Sequence, residues 1–227
     1  MKVSVVIPVF NEERFIRTCL VSLKNQIEEP DEIIIVDNNS SDRTIAIAKN
    51  FAVRIVREKT QGITHARNHG FDTAKYEIIA RCDADSILPK DWIQKIKRQF
   101  EFYPIDGLVG PINYYDVPVR TALGMRFYIT ATKKVLGHYP LNGPSMAITK
   151  QIWKRVKKYI CPDDSKVHED IDLSIHIHKA GGKIKYDRTL LVQVSGRRAK
   201  HNPRSFFLEY PVRFFKMIRE HEQTHPF

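Results

Sequence analysis

The chain has 227 residues, a formal net charge of +11 and a pI of about 9.6, with 42% hydrophobic and 28% charged residues. That length suits one large α/β domain or one domain with an appended lobe, and the balance excludes a disordered or repeat-built chain. The basic excess favours an acidic counterpart, whether nucleic acid, an anionic membrane surface or a phosphorylated substrate, and sign alone does not choose among them.

Cys19, Cys82 and Cys161 are far apart and form no CxxC pair. Neither a zinc site nor a disulfide framework is signalled, and a reducing, cytoplasmic setting fits best. The amino terminus, Met1-Lys2-Val3-Ser4-Val5-Val6-Ile7-Pro8, turns polar at Asn11 and has no small-residue cleavage site, so it reads as a strand and not a signal peptide. No apolar run reaches the roughly 18 residues needed to span a bilayer, so any membrane attachment is expected to be peripheral.

Val3 to Phe10 is continuously apolar, as a strand buried on both faces of a parallel sheet should be. Phe15, Ile16, Cys19, Leu20 and Leu23 then recur at helical spacing, with Glu12 and Glu13 expected in the first turn. Asp31 to Val36 is a second buried strand ending at Asp37, and Asn38-Asn39-Ser40-Ser41-Asp42 supplies turn and cap residues before another helix. Val53 to Val56 is a short strand, followed by Gln61-Gly62 and a helix carrying His65, Arg67, Asn68 and His69.

Glu77-Ile78-Ile79-Ala80-Arg81-Cys82-Asp83-Ala84-Asp85-Ser86 is an apolar strand ending in two aspartates one residue apart. Alternate residues of a strand share a face, so Asp83 and Asp85 should project together and draw a cation between or beside them. An oxygen-only pair suits Mg²⁺ or Mn²⁺; the competing reading is a solvated turn. Alternating strands and helices imply a parallel sheet covered on both faces, with ligands beyond the carboxyl ends of its strands. Pro8 to Asn11, Asp37 and Asp83 to Asp85 all fall at those ends.

Trp92, Ile93, Ile96 and Phe100 form an amphipathic stripe that reads as core packing. Gly107 to Tyr115 is expected to be one strand, Val119 to Leu136 a helix, and Met146 to Thr149 a short strand after the Asn142-Gly143-Pro144-Ser145 turn. In His168-Glu169-Asp170-Ile171-Asp172, Asp170 and Asp172 cannot share a helix face, so one is expected to be functional or capping and the other outward. Lys183 to Tyr186 and Leu190 to Val194 are late strands. From Gly196 the chain is basic and aromatic, with Arg197, Arg198, Lys200 and Arg204 before Phe206, Phe207, Tyr210, Phe214, Phe215, Met217 and Ile218. Pro211 should divide this stretch into two helical pieces, able to lie on an anionic membrane or to pack back on the domain.

Taken in order, Val5-Val6-Ile7-Pro8-Val9-Phe10-Asn11-Glu12, Val36-Asp37-Asn38-Asn39-Ser40-Ser41-Asp42-Arg43-Thr44, Ala66-Arg67-Asn68, Asp83-Ala84-Asp85 and Glu169-Asp170 resemble the family 2 glycosyltransferases in order and spacing over nearly residues 1–195. The resemblance implies an α/β GT-A fold with a Rossmann-like, mostly parallel central sheet flanked by helices. It also implies a nucleotide-sugar donor, a divalent metal, Mg²⁺ or Mn²⁺, and inversion at the anomeric carbon. Residues 1–112 would be the nucleotide-binding half, 113–195 the acceptor-binding half, and 196–227 a helical extension.

By position, the resemblance implies that Pro8, Phe10, Asn11 and Glu12 border the nucleoside and that Asp37 bonds the base. Arg67 looks like an arginine on the base or phosphate side. Asp83 resembles the residue that meets ribose or metal, and Asp85 the one holding the metal under the diphosphate. Asp170 looks like the general base, with Glu169 its motif partner. A hexosyltransferase of cell-envelope polysaccharide is implied, with a UDP-sugar favoured by family frequency and a glycan or lipid-linked acceptor. Contact with the inner face of the membrane would run through residues 197–218.

Three departures matter. Asn38 and Asn39 replace the more frequent Asp-Gly; Ile87 stands where related dolichol-phosphate mannosyltransferases offer a polar ligand; and the Gln-x-x-Arg-Trp unit of processive synthases is absent. One sugar per encounter is therefore expected, with Arg197, Arg198 or His201 in a segment that closes over the diphosphate. Two alternatives compete. A nucleotidyltransferase would want a glycine-rich phosphate loop near the amino terminus, which is missing, as are GxxxxGK[ST] and GxGxxG. A non-catalytic nucleic-acid-binding module has only the charge and the tail in its favour, so nucleic acid is not the expected partner.

Overall fold

A computed structural model describes residues 1–117, 122–197 and 210–224. The strands are β1 (Val3–Val9), β2 (Glu32–Asp37), β3 (Arg54–Arg57), β4 (Ile78–Arg81), β5 (Gly107–Val109), β6 (Ile112–Tyr114), β7 (Met146–Thr149), β8 (Ile184–Tyr186) and β9 (Val192–Val194). The helices are α1 (Ile16–Lys24), α2 (Thr44–Ala48), α3 (Ile63–Thr73), α4 (Trp92–Phe102), α5 (Ala122–Leu136), α6 (Lys150–Val156), α7 (Glu169–Lys179) and α8 (Tyr210–Thr224). Seven strands form the main sheet in the order β3-β2-β1-β4-β7-β5-β8. All neighbours are parallel except β7, which runs antiparallel to β4 and β5.

Strand periodicity explains the two cores. Val3, Val5, Ile7 and Val9 of β1 point to one face and pack with Ile16, Leu20 and Leu23 of α1 and with Trp92, Ile93 and Ile96 of α4. Val6, with Ile34 and Val36 of β2, points to the other face and meets Phe71 of α3, Trp153 of α6 and Leu173 and Ile177 of α7. Each Val or Ile so enclosed contributes about 1.5–3 kcal/mol of burial free energy. Gly70 sets how closely α3 can lie: a Cβ there would stand 2.3 Å from Cγ1 of Val6 and 2.8 Å from Cγ2 of Val36.

Three expectations are corrected. Gly107 to Tyr115 is not one strand: β5 stays in the main sheet, whereas β6 pairs with β9 in a separate two-stranded sheet. The break falls at Gly110-Pro111, where Pro111 has no N–H to continue a ladder, and its carbonyl instead accepts from Val192 N at 3.0 Å. Glu12 and Glu13 precede α1, which begins at Ile16, so they belong to the loop. Asp172 does not face outward; it is wholly buried, because α8 covers that side of α7. Pro211 lies in the first turn of α8, where a missing N–H costs nothing; the piece expected before it, with Arg198 and His201, lies outside the described residues.

Phe214 and Met217 of α8 pack against Val167, Ile171 and Ile175, so the last helix docks on the domain. Among the described residues no helix is long and apolar enough to cross a membrane.

Candidate active site

The carboxyl ends of β1, β2 and β3 carry loops that are stitched to one another. Asn11, left-handed at φ 55°, accepts through Oδ1 from the N–H of Ser41 at 2.8 Å and of Asp42 at 3.3 Å. Thr44 Oγ1 accepts from Glu12 N at 2.7 Å, and Asp37 Oδ1 accepts from the N–H of Ser40, three residues on, at 2.9 Å. Asn38 donates to the carbonyls of Glu58 and Thr60 and accepts from Gly62 N at 2.9 Å. Asn39 sits at φ 68°. Asn is among the few residues with a side chain that tolerate that region, which explains how it can stand where glycine is more frequent. Phe10 is 49% exposed on the rim.

The next group is built from charge. Strand β4 ends at Arg81, so Asp83 and Asp85 occupy the turn that follows and not the strand itself. Ser86 Oγ accepts from Asp83 N at 3.2 Å and Ser86 N donates back to Asp83 O at 3.0 Å. The turn is tied to β9 by Ile87 and Gln193, which exchange backbone hydrogen bonds of 2.7 and 3.1 Å. Strand alternation therefore does not set the pair; the turn does.

Arg81, buried beneath that turn, donates to Asp83 Oδ1 at 3.1 Å and forms a very short ion pair with Glu169 Oε1. Arg67 is 0% exposed and donates through Nη1 to the Glu169 carboxylate and to its carbonyl, each at 2.6 Å. Glu169 is thus gripped by two buried guanidinium groups. Burial pushes its carboxyl up, but Arg81 and Arg67 outweigh that and hold it below the usual range. Arg67 was expected to meet base or phosphate; it lies instead beneath Glu169, wholly enclosed.

Asp170 follows in the first turn of α7. Its Oδ2 accepts from Gly143 N at 3.1 Å and its Oδ1 from Ile171 N at 2.9 Å. Gly143 is required by the close approach, since a Cβ would stand 2.7 Å from Nη2 of Arg81. Burial, then the charge of Glu169, pushes the Asp170 carboxyl up to about 6, against Arg81 and the two N–H groups. A carboxylate poised there can accept a proton near neutral pH.

Arg197 completes the site. It forms a very short ion pair with Glu12, sits 3.4 Å through Nε from Asp85 Oδ2, and lies over the Phe15 ring at 4.7 Å. Burial works against its charge, but Glu12, Asp85 and Asp83 hold its pKa above the ordinary value. A cation already drawn to these carboxylates fits the donor set of a hard divalent ion, with Asp83 and Asp85 offering oxygen only.

Sequence reasoning gave no role to Arg81 or Gly143. The signal for Arg81 was available: a charged residue closing an otherwise apolar buried strand needs a partner. Gly143 carried no signal until the fold put it against Arg81.

Residues 4–160 match the profile described as "Glycosyl transferase family 2". Among curated proteins, the putative glycosyltransferase EpsH of Bacillus subtilis (strain 168) is 37% identical over 101 residues, 42% of this chain and 29% of EpsH. Among solved structures, the mannosyltransferase PcManGT from Pyrobaculum calidifontis, in complex with GDP-Man and Mn²⁺, superposes with a TM-score of 0.76 at 19% identity, covering 99% of this chain and 65% of that one. TarS of S. aureus (residues 1–349), in complex with UDP-GlcNAc, gives 0.68 at 20% identity, covering 87% and 59%. The alignments span 29%, 17% and 44% of EpsH and of the glycosyltransferases GlyA and GlyG of Streptococcus pneumoniae, so the chain covers under half of these curated relatives.

Proposed function

Because the chain belongs to glycosyl transferase family 2, we propose that it moves a sugar from a UDP-linked donor to an acceptor hydroxyl, with inversion at the anomeric carbon. Its mostly parallel sheet flanked by helices is the GT-A arrangement. The observation that carries the reading is the run of ion pairs from Asp83 through Arg81 to Glu169. It sets Asp170 beside the same group of charges as the turn after β4.

Pro8, Phe10, Asn11, Glu12 and Asp37 border the nucleoside, and Asp83 and Asp85 face the diphosphate. Arg67 acts from beneath as a positioning residue, fixing Glu169 and so the start of α7. Asp83 and Asp85 would hold Mg²⁺ or Mn²⁺, which when bound offsets the charge that builds on a departing diphosphate. Asp170 removes the acceptor hydroxyl proton as that oxygen bonds to the anomeric carbon. The bond from that carbon to the diphosphate oxygen breaks on the opposite face, and the electron pair leaves with the nucleotide. The N–H groups of Gly143 and Ile171 keep the carboxyl aimed while it does so.

Residues 113–195 supply the acceptor side. On α8, Val212, Phe215, Lys216 and Arg219 are all exposed, at i, i+3, i+4 and i+7, so they share one outward face. Val212 and Phe215, at 68% and 64% exposure, beside two cations fit an anionic membrane surface carrying a lipid-linked acceptor. Sedimentation with vesicles containing phosphatidylglycerol tests this: Phe215→Ser should lose most of the bound fraction, and equal binding would sink it.

The reading as a whole is tested by a panel of UDP-, GDP- and dTDP-sugars with Mn²⁺, measured as a rise in Tm. One UDP-sugar should stabilise the chain, and Asp170→Asn should keep that stabilisation while losing transfer. If Asp170→Asn loses donor stabilisation as fully as transfer, its role as base is wrong.

A further inference from the structure

A second cluster of ligating side chains lies on α7, roughly 200° of helical rotation beyond Asp170. Asp172 and His176 are four residues apart on one row of α7, and His221 reaches them from α8, 49 residues later in sequence. His221 Nε2 is 2.8 Å and His176 Nε2 3.6 Å from the same oxygen, Oδ1 of Asp172. The three ligand atoms lie within 4.8 Å of one another. We propose that Asp172, His176 and His221 form a Zn²⁺ site that clasps α8 to α7, separate from the donor site and independent of the reading given to it.

The geometry is close to what the ion needs. With bonds of about 2.0–2.1 Å in tetrahedral array, adjacent donors stand ~3.3 Å apart, so the two Asp172–His distances need shifts of roughly half an ångström or less, the two imidazole nitrogens, within 4.8 Å of each other, draw together by at most ~1.5 Å, and water takes the fourth position. Two imidazoles and one carboxylate are a nitrogen-rich set that selects Zn²⁺ over Mg²⁺ or Mn²⁺, the reverse of the all-oxygen pair Asp83 and Asp85. The surroundings are built as well. Asp172 and His176 are buried and the His221 side chain is only 14% exposed. Asp172 Oδ2 is fixed by the N–H of Cys161 at 3.1 Å, an outer partner that aims Oδ1 at both rings. The His176 ring stacks on Tyr159, with centroids 6.1 Å apart, and meets His221 edge to face at 5.0 Å.

The test uses the full chain stripped of metal by a chelator. Titration with Co²⁺ should give the intense visible bands of a tetrahedral site, and Zn²⁺ should displace them stoichiometrically. His221→Gln, checked for native circular dichroism, should lower Zn²⁺ affinity by at least about 100-fold, and His176→Asn should do the same if the first variant folds poorly. Zn²⁺ should slow proteolytic release of α8 in the unaltered chain and not in His221→Gln. The Asp83→Asn, Asp85→Asn double variant should bind Zn²⁺ as the unaltered chain does, which separates this site from the donor site. Absence of stoichiometric uptake by the unaltered chain, or uptake unchanged in His221→Gln, overturns the proposal and leaves a hydrogen-bonded His–Asp–His hub.

Discussion

The loops after β1, β2 and β3 and the start of α7 both line the candidate site, yet they are held by different forces. The first region is fastened mainly by separate, partly exposed hydrogen bonds between backbone groups and the side chains of Asn11, Asn38, Asp37 and Thr44. The second is fastened by enclosed charge, with Arg67, Arg81 and Glu169 compensating one another. Separate hydrogen bonds fail piecemeal, each contributing about 0.5–1.5 kcal/mol. A buried ion cluster fails at once, because removing one member leaves the others charged and enclosed. The loops after β1, β2 and β3 can therefore vary gradually, whereas the charged cluster behaves as a single unit.

Four predictions test that contrast. Glu169→Gln leaves buried Arg67 without its carboxylate and Arg81 with Asp83 alone, and should lower stability by about 3–5 kcal/mol in urea unfolding; a loss below ~1 kcal/mol would show the arginines find other partners. Asp170→Asn should cut kcat by a factor of about 10²–10⁴ with the unfolding midpoint unchanged or raised. The sign follows from its pKa, raised in the folded state to about 6. Ionising Asp170 costs folding free energy as pH rises from its unfolded value toward 6, so an uncharged replacement removes a penalty. For the same reason transfer should rise through pH about 6. A pH–rate profile flat from 5 to 7, with chemistry rate-limiting, would rule out Asp170 as the base.

Asn38→Ala should cost about 1–3 kcal/mol, since it releases the Glu58, Thr60 and Gly62 backbone, and should raise KM for the donor with little change in kcat. A matching fall in kcat would mean the two regions are coupled. Smallest of all, Arg43→Ala removes an exposed ion pair between the first two loops and should stay within ~0.5 kcal/mol of the unaltered chain.

Much of this was legible in the sequence because local pattern reports local structure. The apolar runs of β1, β2 and β4, the turn after Asp37 and the acids of α7 each carry their own signal. What stayed hidden depends on segments remote in the chain. Asp172 was expected to face outward because helical periodicity does not register a helix arriving 49 residues later. Arg67 was expected at the ligand surface because its motif says nothing of the Glu169 that encloses it. The division of Gly107 to Tyr115 into two sheets follows from β9, whose pairing competes for Ile112 to Tyr114.

The antiparallel strand β7 has a bearing on how the molecule comes into being. During synthesis β3, β2, β1 and β4 can assemble from the first 81 residues, since each pairs with a strand already made. The outer edge of β4, with Ile78, Ile79 and Ala80, then waits for Met146–Thr149 to emerge from the ribosome. A bare apolar edge invites strands from other nascent chains, so the interval between residues 81 and 146 is when this protein is most exposed to misassociation, and slowing translation there should lower its soluble yield.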